Sequence, residues 1–175
     1  MNTKFKTKLL SSLMLIGLFS GTCFSQDTVI HNLTGNSDRF TSSDVVVGNR
    51  SSQTTAKLPS DLLYDLNATV YVKNNSLSKV KGKAHPLVLK FKDAQSFNVV
   101  SKRNPLFNTV EMIKIDLASE NDLRTPFNMA SLRGFNNLKY VYLKCEFPVT
   151  DAQIRTFIQN ADPKLIIYYN TYQRS

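Results

Sequence analysis

Side chains able to do chemistry are sparse in this sequence. Its 175 residues include two histidines, His31 and His85, and two cysteines, Cys23 and Cys145. Neither histidine has a Cys, His or acidic residue at the short spacing with which a metal site is built, and both lie in polar, loop-like surroundings that predict a solvated imidazole. A cysteine nucleophile needs a base held beside it. Cys145 has no histidine near it in sequence and reads as a small buried hydrophobe. Asp116, Glu120 and Asp122 gather after one apolar run, with Glu111 just before it. Hydrolysis by paired carboxylates requires two acids held at a set separation across a cleft; the neighbouring Asn121 and Arg124 indicate a solvated loop instead. The six glycines do not cluster into a phosphate loop, and no serine sits in a nucleophile elbow. The sequence therefore assigns no catalytic residue, no metal ligand and no cofactor.

The first 25 residues predict export. Lys4, Lys6 and Lys8 precede an apolar run over 9–19, and Cys23 and Ser25 stand three and one residues before Gln26. This is the pattern of a secretory signal peptide, with an apolar run too short to cross a bilayer. A lipoprotein signal would place a lipid on Cys23, but Thr22 and Ser20 occupy positions that usually hold a small and an aliphatic residue, which favours cleavage after Ser25. The expected location is periplasmic, cell-surface or extracellular. Loss of residues 1–25 lowers Lys+Arg from 22 to 19 against 13 acids, so +9 becomes +6. A basic exported chain favours acidic partners, while export and the lack of any recognition motif argue against nucleic acid. With Cys145 then alone, no internal disulfide is expected and stability must come from an apolar core. No other stretch is long and apolar enough to span a membrane.

Composition divides the remainder into a polar, partly flexible leader over 26–57, with one strand expected at 44–47, and a single domain over 58–175. Ser60 is placed to cap a short helix over 61–66. Strands are expected at 69–73, 87–92, 112–117, 140–144 and 165–170, each rich in β-branched, aliphatic or aromatic residues. A Thr150-x-x-Gln153 capping box followed by Ile154, Phe157 and Ile158 on one stripe predicts a helix closing near Pro163. Thr125 and Pro126 predict a second helix, with Met129, Leu132 and Phe135 on one side and Gly134 near its end. Within 93–108, Phe97, Val100 and Phe107 are the expected inward residues.

The strands recur at a nearly fixed interval. Leu89, Ile113, Val141 and Ile167 are equivalent, each followed two positions on by Phe91, Ile115, Leu143 or Tyr169. The segment Leu132-x-x-Phe135-x-x-Leu138-x-x-Val141-x-Leu143 resembles the framework of the leucine-rich-repeat family. Phe107, Val110, Ile113 and Ile115 echo it one turn earlier without a gap. The resemblance covers about residues 83–170 and departs from the family where Asn or Cys is usual after the last strand leucine: those places hold Ala94, Ala118, Glu146 and Tyr172. It implies a short α/β solenoid with parallel strands and helical backs. The alternative is an open layered α/β sheet with helices on one face. Lys90, Lys114, Asp116 and Lys144 interrupt the apolar strands, so one sheet face should be wet.

That face would present Tyr71, Lys73, Lys90, Lys92, Lys114, Asp116, Tyr140, Tyr142, Lys144 and Tyr168. Tyrosine contributes large contact area at modest entropic cost, and lysine attracts acidic partners. The expected function is non-enzymatic recognition of a protein or acidic polysaccharide; the alternative is a small envelope hydrolase on an α/β scaffold. Edge strands left uncovered at either end would invite self-association.

Overall fold

The computed structural model describes residues 28–34, 58–81 and 85–172. The expected signal peptide, most of the expected polar leader, the strand expected at 44–47 and the last three residues lie outside the described residues. Nine strands and two helices are described: β1 (Val29–Asn32), α1 (Ser60–Tyr64), β2 (Thr69–Lys73), β3 (Ser76–Lys81), β4 (Val88–Phe91), β5 (Met112–Leu117), β6 (Phe127–Asn128), β7 (Tyr140–Cys145), α2 (Asp151–Phe157), β8 (Ile158–Gln159) and β9 (Ile166–Thr171). Short 3-10 turns make up most of the remainder, including Ala94–Ser101 and Pro105–Phe107.

The fold is α/β with a mostly parallel seven-stranded sheet in the order β1-β9-β7-β5-β4-β2-β3. The five expected strands are parallel neighbours in chain order, and Leu89, Ile113, Val141 and Ile167 pair in one register. The gapless overlay of the 107 and 135 turns is also physical. Phe107 stacks on Phe135 with centroids 4.6 Å apart, Asn136 Nδ2 donates to Asn108 Oδ1 at 2.7 Å, and Lys139 pairs with Glu111 at 2.8 Å.

One face of the sheet packs against the turns, α2 and the small parallel β6–β8 pair. Phe91, Phe97, Phe127 and Phe157 run through this core as edge-to-face contacts between 4.8 and 6.0 Å, the geometry that aromatic quadrupoles favour. Phe97, Val100 and Phe107 are buried, as the sequence predicts, and so is the free Cys145. The capping box at Thr150 and Gln153 forms and starts α2.

Three expectations about local structure are corrected. The helix expected after Thr125 is absent: Phe127 is extended because it pairs with Ile158, and the Asn128 side chain then accepts from Ala130 N to turn the chain. For the same pairing, α2 stops at Phe157 and Ile158 becomes strand. The backs are thus mainly 3-10 turns rather than helices. Near Pro59 the short helix is Ser60–Tyr64, with no side-chain cap from Ser60.

Besides β6 and β8, two strands of the large sheet depart from the expected set. β3 returns antiparallel from β2 through Asn74 and Asn75, both at positive φ (51° and 56°). Asparagine tolerates that region, and a two-residue turn with both centres there matches strand twist. β1 arises within the stretch read as leader and pairs with the last strand, β9, in parallel. The sheet edges are therefore occupied by β1 on one side and β3 on the other.

Candidate binding face

Alternate residues of the same strands point away from the core and form cross-strand rows. The first runs Val29, Ile166, Tyr140, Met112, Val88, Thr69. The second runs His31, Tyr168, Tyr142, Lys114, Lys90, Tyr71. The third pairs Asn170 with Lys144 and Lys144 with Asp116, and Lys92 reaches this Asp116 from beyond β4. The sequence-derived face residues share one side, as strand alternation requires, with Lys73 exposed at the end of β2.

This side is less open than a bare sheet. α1 lies on the first row: Leu62 is buried against Val88 and Met112, with Leu63, Leu87, Tyr140 and Tyr142 around them. Tyr168 is only 2% exposed, and Lys90, Lys114, Asp116, Tyr140, Tyr142 and Lys144 are intermediate. Lys92 and Lys73 are exposed. The most accessible aromatics beside the rows are Tyr64 at 56% and Tyr172 at 44%. Neither Tyr64, Tyr172 nor α1 was assigned to the face from sequence, because only the folded chain brings the segment at 60–64 and the residue after β9 beside β5 and β7.

Burial sets the charges of the face. The Asp116 carboxylate is shared by Lys92 at 2.8 Å and Lys90 at 3.1 Å. The two amines shift in opposite directions. For Lys90 burial dominates and lowers its pKa despite Asp116. For Lys92, in the more open position, burial is the largest single influence but the carboxylate's hydrogen bond and charge together outweigh it, so its pKa rises. Lys114 donates to the Leu63 carbonyl at 2.9 Å. Burial, with repulsion from Lys90, pulls its amine down to about 8.

Two phenols of the face, Tyr142 and Tyr168, are held protonated. Burial raises Tyr142 strongly, helped by a hydrogen bond with Tyr172, and burial with Tyr140 nearby lifts Tyr168 to about 12. Tyr172 also accepts from Asn170 Nδ2 at 3.0 Å, and the Lys144 amine stands 5.3 Å from the Tyr172 ring centroid. His31 is not a solvated loop residue: it is half-buried on β1, stacked on Tyr168 at 5.3 Å, and burial lowers its pKa. His85 is exposed in a loop.

Three of the four acids weighed for catalysis have structural partners, and Glu120 is exposed. Asp122 Oδ2 accepts from the Ala118 and Ser119 amides at 2.8 and 3.0 Å, while Glu111 holds Lys139 and Asp116 holds two lysines. Among the described residues no group of three His, Cys, Asp or Glu is arranged to hold a metal. Burial pushes the Cys145 thiol up to about 12, so it carries little thiolate at neutral pH. Among the described residues no helix is long and apolar enough to cross a membrane. No family model, curated protein or solved structure matches the chain.

Proposed function

We propose that the chain is an exported, non-enzymatic recognition module, built as a short leucine-rich-repeat-like solenoid, that binds an acidic partner (a protein segment or an acidic glycan) on its Tyr/Lys strand face. The chain-order parallel strands and the contacts between residues 28 positions apart support stacked repeats, in which each turn buries its apolar side only against its neighbours. The observation that carries the binding reading is the charge balance of the face. Lys73, Lys90, Lys92, Lys114 and Lys144 stand there against Asp116, with Glu146 3.9 Å from Lys144. Burial, with amine–amine repulsion second to it, lowers the basicity of Lys90 and Lys114, and packing alone gives no reason to place amines where they lose solvation. An acidic partner would supply the opposite charge that these desolvated amines lack.

The accessible lip of the face is Tyr64, Tyr172, Lys144 and Lys92, and the more buried Tyr140, Tyr142, Tyr168 and Lys114 shape its floor. The test is retention of the purified protein on immobilised polygalacturonate and on an immobilised poly-glutamate peptide. The double variant Lys144→Ala, Tyr172→Ala should lose retention on at least one of them while its far-UV spectrum and thermal midpoint stay put. Equal retention of parent and variant on both would remove the face from the account.

A further inference from the structure

The positive charge of the chain is concentrated in one stretch of its sequence. Between residues 73 and 103 there are eight Lys or Arg and one acid, Asp93. That net of +7 exceeds the +6 of the whole of 26–175, so the rest of that stretch is slightly acidic. Asp93 is itself occupied: it accepts from the Ser96 hydroxyl at 2.6 Å and from the Asn74 amide at 3.0 Å.

Within this stretch, on the side of the sheet opposite the Tyr/Lys face, a cavity of about 430 Å³ opens between the β2–β3 turn and the 3-10 turns at 94–107. Lys102 and Arg103 line it, and neither takes part in an ion pair or hydrogen bond of its side chain among the described residues. Neutral polar groups face them. The Asn104 Oδ1 is spent on the Leu106 amide, which leaves its Nδ2 to donate, and the Ser101 hydroxyl donates to the Asn98 carbonyl, which leaves its lone pairs to accept. The carboxamides of Asn75 and Asn98 complete the rim, and the partly exposed Leu77 and Val99 supply apolar surface.

We propose that this cavity is a binding site for one acidic sugar unit, a carboxylated pyranose of a glycan. Each part of the ligand has a counterpart. The two cations match a carboxylate through charge-assisted hydrogen bonds, of which Arg makes the bidentate kind. Carboxamides and hydroxyl oxygens match ring hydroxyls, which both donate and accept. The apolar wall suits the C–H face of the ring, and the volume falls in the range of small-ligand sites. A bare inorganic anion would use the cations and leave the carboxamides idle. The site is separate from the Tyr/Lys face and stands whether or not that face binds anything.

The test is amide chemical-shift mapping with digalacturonate, the neutral disaccharide lactose and inorganic phosphate as probes. Digalacturonate should shift amides within 75–77 and 98–104, and lactose should bind at least about tenfold more weakly. Lys102→Gln with Arg103→Gln should weaken digalacturonate about tenfold or more, whereas Lys144→Ala with Tyr172→Ala should leave its binding at this site unchanged. The proposal is overturned by equal binding of the neutral disaccharide, by parent-like binding of the Lys102, Arg103 variant, by phosphate binding as tightly as digalacturonate, or by no shifts at millimolar digalacturonate.

Discussion

The two faces of the seven-stranded sheet are made from alternate residues of the same strands, yet they obey different rules. On one face Leu89, Phe91, Ile113, Ile115, Val141 and Leu143 are fully buried and pair across neighbouring strands in one register. On the other, one residue away, lysines and tyrosines sit half-buried under a single short helix. The first face is satisfied by the chain itself. The second holds amines whose basicity burial has reduced, an arrangement that costs stability and is common where a protein binds something. The contrast teaches that the core face sets the register and the opposite face is free to be specialised.

The contrast can be broken most forcefully from the core side. Phe91→Ala removes a ring in edge contact with Phe97 and Phe127 and should cost about 3–5 kcal/mol in urea unfolding. Leu62→Ala acts on the other face. It should cost about 2 kcal/mol, at the low end for a buried leucine because its cluster is small. It should also let the Lys114 amine rise from about 8, readable by NMR titration of the lysine side chain. An unchanged Lys114 would mean that α1 does not control this face.

A pH series sharpens the same point. The folded pKa of Lys114, about 8, lies below its ordinary 10.5. Between those values the unfolded chain binds the extra proton, so this group makes stability rise with pH from about 8 to 10.5 and contributes no slope below that window. In Lys114→Met that slope should disappear, so the difference between variant and parent moves in the parent's favour as pH rises through the window. Parallel stability curves would show that Lys114 is not desolvated. The smallest effect expected is chemical. Cys145, buried in the core face, should resist iodoacetamide at pH 8 in the native protein and react once unfolded, as followed by intact mass.

Much of this contrast was legible in the sequence, and the reasons are local. The five main strands alternate bulky and polar residues at a near-constant interval, so both their existence and the pairing of Leu89, Ile113, Val141 and Ile167 could be read. The turns between them could not. Thr125-Pro126 carries a helix-start signal, but Phe127 gains more by pairing with Ile158, a partner 31 residues away. The β2–β3 hairpin has its signal in Asn74-Asn75, two residues that tolerate positive φ between strand-like runs. β1 had almost none: four residues in a polar stretch become a strand only because β9 offers an open edge. For the face, its residues were legible from alternation, but its covering by α1 and the exposed Tyr64 and Tyr172 depend on contacts between distant parts of the chain.

The most direct test of the binding face is lysine acetylation footprinting with and without a saturating acidic polymer, polygalacturonate or poly-glutamate. Lys73, Lys92 and Lys144 should be protected by at least one of the two, while Lys139 and Lys164, outside the Tyr/Lys rows, should react at the same rate in both states. Uniform protection of all lysines, or protection confined to Lys102 by the cavity, would contradict a dedicated Tyr/Lys recognition face.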